Sequence, residues 1–199
     1  MINLINNLTM VTTFLFFTNL LLNKFKDTFP QYHYVYPYLS GVLHGFLGVG
    51  LMVLGSATST GFHLDLRTLA IVSAVYMGGR KAGTIALLII LIARVFLLDM
   101  SNTVAVLVGT AMILLSYGLS MLLLTRAYRK SFRRWLVIIV CSTVIPCMVV
   151  YFTSIKAQLY GTTLVAIMYT IGGLFTYWLL TYLSRSNQSL YLLKERASR

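Results

Sequence analysis

The chain has 199 residues, of which 58% are hydrophobic and only 10% charged, and its mean hydropathy is +0.83. Soluble domains carry roughly a quarter charged residues, so a soluble domain is excluded and an integral membrane protein of one helical bundle is expected. The net charge of +12 does not call for nucleic acid, because the basic residues lie in clusters between apolar runs, as the positive-inside rule requires.

A membrane-crossing helix needs about 20 apolar residues, fewer inside a bundle, and the sequence offers seven such runs. The opening MINLINNLTM lacks the basic stretch of a signal peptide, so the first run, about 4–22, is read as retained. Asn7-Leu8-Thr9 matches a glycosylation sequon, a three-residue pattern of low specificity beside a span. NKFKDTFPQYHYVYP reads as a polar loop whose Tyr32, Tyr34, Tyr36 and Tyr38 form an interfacial belt. The second span, about 38–56, carries Gly41, Gly45 and Gly48 at helical spacing, a face suited to close helix packing. His44 lies within it and is expected to bond a neighbouring helix, the alternative being a ligand or proton carrier.

After the loop ATSTGFHLD come a short third span, about 66–77, and a fourth, about 82–98, joined by a very tight turn at Gly78-Gly79-Arg80-Lys81. The fifth span is about 102–124, with Gly109 and Gly118 for packing; the sixth, about 135–152, contains Pro146, a kink signal. The seventh, about 159–183, carries Gly172-Gly173 and precedes a polar tail, 184–199, in which Leu190, Leu193 and Ala197 keep a helical rhythm. That rhythm suggests a helix leaving the membrane to pair with a second copy, with the pattern unfinished at the last residue.

Thirteen of the sixteen Lys and Arg residues fall in alternate connections and the tail. The N-terminus is therefore placed outside and the C-terminus in the cytoplasm. A six-span version with a broken element in 66–98 would reverse the N-terminus and put NKFK on the wrong side.

The stretch from Leu64 to Asp99 holds two carboxylates and four basic residues in an otherwise greasy chain. The hairpin brings His63, Asp65, Arg67, Arg94 and Asp99 to one membrane face. Charges there pair with one another, snorkel or line a polar cavity. Arginine suits a carboxylate or phosphate because its fork donates two parallel hydrogen bonds, so these five residues are the candidate site for a small anionic ligand. The alternative is that they only fix the hairpin. The glycines Gly78, Gly79 and Gly83 are not a phosphate loop, since no Walker Lys-Ser pattern follows; they serve turn and packing. Cys141 and Cys147, six apart in one run, point in different directions and imply neither disulfide nor metal. No catalytic motif is present and no cofactor is implied; if the full protein is an enzyme, its chemistry lies outside these residues.

At Asp65-Leu66-Arg67, Gly78, Gly79, Gly83 and Arg94 the chain resembles the Lyt-type multi-span sensor region of LytS-like histidine kinases and YhcK-like diguanylate cyclases. In that pattern a polar residue and arginine open a span, a Gly-Gly-Pro-x-x-x-Gly turn follows, and an arginine closes the next span. Arg80 stands where the family usually has proline. The resemblance covers about 38–183 and implies a membrane sensor domain over 1–183 with 184–199 as a signalling-helix linker. LLKERASR is similar to the helix entering a GGDEF-type diguanylate cyclase. The resemblance thus implies a bacterial plasma-membrane receptor that binds a small extracellular ligand and controls cyclic-di-GMP synthesis, as a homodimer among membrane lipid. It also implies a bundle like the substrate-binding subunits of energy-coupling-factor vitamin transporters, which is the competing function; a LytS-type kinase input is another, and a ligand-free scaffold a third.

Overall fold

The computed structural model describes residues 2–54, 56–57, 63–64, 66–97, 103–125, 132–153 and 159–197. The described residues are helical apart from a two-residue antiparallel pairing of β1 (Ser56–Ala57) with β2 (His63–Leu64); the second helix ends at Val53, so Ser56, expected to close that span, is strand instead. The helices are α1 (Ile2–Thr28), α2 (Tyr36–Val53), α3 (Arg67–Leu97), α4 (Thr103–Thr125), α5 (Phe132–Thr153) and α6 (Leu159–Ala197), with a 3-10 helix at Pro30–Val35.

The first departure from expectation lies between α1 and α2. Residues read as an open polar loop instead continue α1 to Thr28 and then form the 3-10 helix. Proline explains the junction: the residue before Pro30 is pushed out of the helical region, and Phe29 sits at φ −129°, ψ 62°. Pro30 and Pro37 then occupy the first turns of the next two helices, where a missing N–H costs nothing. The short connection folds α2 back against α1, and Gly50 packs on Met10.

α3 is two helices. Gly79 lies at φ 71°, ψ −157°, a region open essentially to glycine alone, and separates an N-arm (67–78) from a C-arm (80–97). The arms run antiparallel: a Cβ on Gly83 would strike Val75, and one on Gly48 of α2 would meet Ile90 of the C-arm and Ala70 of the N-arm. α2 lies in the groove between them. Its glycines set the approach, since Gly41 sits on the Ala82 backbone and Gly45 on Ile89.

Every residue from 66 to 76 is buried. A helix apolar and buried on all sides is a core helix, and the N-arm is the one around which the others are arranged. α2 and the C-arm flank it. Tyr76 meets Trp135 of α5 edge-on, with ring centroids 5.6 Å apart, and Leu66 and Leu69 cover Gly172 of α6. The remaining helices complete the ring. α4 runs back along the C-arm, with Thr84 and Tyr117 hydroxyls 2.8 Å apart. α5 joins α4 through Ser116 and Ser142, 3.0 Å, and α6 through Trp135 Nε1, which donates to the Gly173 carbonyl at 2.9 Å. The Gly172-Gly173 pair is therefore a packing notch, and α5 is continuous through Pro146. α1 closes the ring by packing on α2 and α6.

Among the described residues, three stretches, Ile5–Thr28, Pro30–Val53 and Arg67–Phe96, are long and apolar enough to cross a membrane. Large apolar side chains such as Phe46, Phe96 and Trp178 lie on the outer surface, as lipid contact requires. The chain is a helical membrane protein.

Candidate functional site

Arg67 opens the N-arm and Arg94 closes the C-arm. Because Ala70 and Ile90 share a level against Gly48, one turn further along each arm brings Arg67 and Arg94 to the same level, at the open end of the hairpin. Both are only 6% exposed. The guanidinium keeps its charge at any ordinary pH, so two permanent cations are sunk at one end of an apolar bundle, where burying a charge is costly.

Their berths differ. Arg67 Nη1 donates to the Met52 thioether, 3.1 Å away, an acceptor weaker than oxygen. Arg94 lies flat against α4, where Gly109 makes room: a Cβ there would stand 2.5 Å from Nη2 and 3.0 Å from Cζ and Nη1. One arginine thus reaches towards α2 and the other towards α4, and the core helix end lies between them.

Other polar groups gather at this end. The hydroxyls of Thr68 and Tyr169 are hydrogen-bonded, tying the core helix to α6. Asn7 of α1 is fully buried, and neither of its amide atoms has a hydrogen-bond partner among the described residues. Since Met10 packs at Gly50 and α1 and α2 run antiparallel, Asn7 lies about one turn further out, near the level of Met52 and Arg67. Full burial removes it as a glycan acceptor. Arg67, Arg94, Asn7 and Tyr169 thus stand at one end of the bundle, and a guanidinium is by its chemistry a donor suited to an anionic group.

Of the sequence candidates, Arg67 and Arg94 are brought to one level. Asp65 and Asp99 lie outside the described residues, and of His63 only the backbone, in β2, is described. Gly78, Gly79 and Gly83 take the turn and packing roles expected of them, with Gly78 under Ser40 and Ala82. His44 corrects an expectation: its Nδ1 bonds the Ser40 carbonyl of its own helix, at 2.8 Å, not a neighbouring helix. Sequence reasoning read Asn7 only as part of a sequon, missed Thr68 and Tyr169, for which no motif exists, and treated Gly109 only as a packing residue. The chain matches no family model, no curated protein and no solved structure.

Proposed function

We propose that the chain is the membrane sensor domain of a bacterial signalling protein, of the Lyt type, in which Arg67 and Arg94 hold the acidic group of a small extracellular ligand and the packing of the bundle relays its presence to a cytoplasmic diguanylate cyclase. The observation that carries this reading is the pair of buried arginines at one level on the two arms of one hairpin. Each contacts a different outer helix, so an anion drawn between them would pull on α2 and α4 together. A ligand shifts such an equilibrium only by binding one packing better than the other.

Seven crossings follow if the hairpin counts as two. In support, the turn lies at the start of α2, where the Lys81 ammonium stands 5.3 Å over the Tyr38 ring, and the arginine end lies at the finish of α2, at Met52. The hairpin is thus as tall as the α2 span beside it. Arg134, hydrogen-bonded to the Leu123 carbonyl, shares the turn end, which supports a cytoplasmic turn and an outward-facing arginine end under the positive-inside rule.

The output side rests on α6. A 39-residue helix is about 58 Å long at 1.5 Å per residue, against a hydrocarbon core of about 30 Å. Its last turns therefore leave the membrane as a stalk suited to joining two copies. A transporter subunit has no use for such a stalk, which is why that reading stands second.

The test is a fusion of residues 1–199 to a diguanylate cyclase domain, with cyclic-di-GMP measured while carboxylated and phosphorylated small molecules are supplied outside. An acidic compound should change output several-fold, and R67A and R94A should each abolish the response while the protein stays in the membrane. A response that survives R67A/R94A refutes the site. Copurification of an ATPase-containing transport complex would favour the transporter.

A further inference from the structure

We infer that Thr18 of α1 and Ser40 and His44 of α2 form a binding site for a single neutral molecule of water's size, deep in the bundle and well away from the arginine end. Three polar atoms carry the inference. Thr18 Oγ1, Ser40 Oγ and His44 Nε2 are buried, in residues with no exposed surface, and none has a hydrogen-bond partner among the described residues.

The protein supplies its own control for the hydroxyls. The buried hydroxyls of Ser73, Ser120, Thr143 and Thr176 each donate to the carbonyl four residues back, at 2.6 to 2.7 Å. That is the ordinary way a membrane helix satisfies serine and threonine. Thr18 and Ser40 have the same option and do not take it. For His44 the chemistry is fixed by its other nitrogen. A carbonyl can only accept, so the 2.8 Å contact with Ser40 O puts the proton on Nδ1 and leaves Nε2 as a bare acceptor.

The three atoms share a level. Ser40 and His44 are one turn apart on the inner face of α2, and Met10 packing on Gly50 sets Thr18 opposite residue 42, midway between them. Around this level the hairpin presents the buried cluster of Ala74, Ala82 and Ala86, whose side chains supply no polar partner.

Charge decides the ligand class. The chain's carboxylates are Asp27, Asp65, Asp99 and Glu195, and none lies in the apolar runs of α1, α2 or the hairpin. A bound cation, or a protonated His44, would stand uncompensated inside the membrane. A water donates to Nε2, exchanges hydrogen bonds with both hydroxyls, and so makes the three bonds typical of a buried water. It links α1 to α2 by a polar bridge.

The test uses the full chain in lipid bilayers with 15N-labelled histidine, as the H33Q/H63Q variant so that only His44 reports. Solid-state NMR should show the neutral Nδ1–H tautomer, an Nε2 resonance shifted from the free-imine position towards a hydrogen-bonded one, and magnetisation transfer from water to the His44 ring. T18V/S40A should abolish the transfer and return Nε2 to the free position, while T18S should retain both signals. A free Nε2 in the parent, a proton on Nε2, or full transfer in T18V/S40A overturns the site. Neither result depends on whether the chain senses an anion.

Discussion

Replacing Gly41 by alanine tests the packing that builds the hairpin and thereby positions both arginines. A methyl on Gly41 would stand 2.7 Å from the Ala82 carbonyl oxygen, 2.8 Å from Ile85 Cβ and 3.0 Å from Ala82 Cα. Two of those atoms are backbone and the third is fixed to it, so no side-chain rotation relieves the clash and α2 must back away from the C-arm. Overpacking of this kind costs about 1–3 kcal/mol. Gly118 of α4 is the control, because a methyl there meets nothing within 4 Å. Removing the excess backbone freedom of a helical glycine gains about 0.5–1 kcal/mol. The two variants therefore separate by about 1.5–4 kcal/mol in opposite directions. Equilibrium unfolding in mixed micelles, followed by the fluorescence of Trp135 and Trp178, measures both against the parent. If G41A is as stable as G118A, the close α2–hairpin contact is refuted, and with it the argument that levels Arg67 with Arg94.

Gly79→Ala should cost about 1–3 kcal/mol in the same assay, although a methyl there meets nothing within 4 Å, because the penalty comes from φ 71° alone; stability equal to the parent would show that the turn has another form. Gly109→Ala should fold nearly as well as the parent, since the atoms it strikes are the mobile end of Arg94, yet should blunt the ligand response of the cyclase fusion by moving the guanidinium by about an ångström from contact distances; an unchanged response would show that the berth of Arg94 does not matter. Asn19 and Asn187 exchange amide hydrogen bonds at 2.8 and 3.4 Å, and a double-mutant cycle to alanine should give a coupling of about 0.6 kcal/mol, the usual worth of such a bond in a membrane bundle; zero coupling would detach the α6 stalk from α1.

The stretch from Leu64 to Asp99 shows how far sequence patterns carry. A Gly-Gly pair between two apolar runs, with arginines at the far ends, specifies a hairpin because only glycine tolerates the turn, and the observed break falls at Gly79. Gly41, Gly45 and Gly48 likewise marked a packing face that the hairpin fills. The Pro30 region misled because its polar and aromatic residues look like an open loop. Helix continues there to Thr28, with Lys24, Lys26 and Asp27 exposed on its last turns.

Hydropathy, the spacing of glycines and the clustering of basic residues by themselves determined a helical membrane protein, the position of the hairpin turn and the approximate ends of its helices, because those properties depend on neighbours along the chain. Only the tertiary structure decided that the N-arm is the core helix, that Arg94 rests on Gly109, and that Asn7, Thr68 and Tyr169 share the end where Arg67 is buried. Thr68 and Tyr169, for example, meet although 101 positions apart, and the side chains involved carry no periodic signal. Their partners are chosen by which helices pack together, and that choice rests on the fit of small against large residues across the whole bundle.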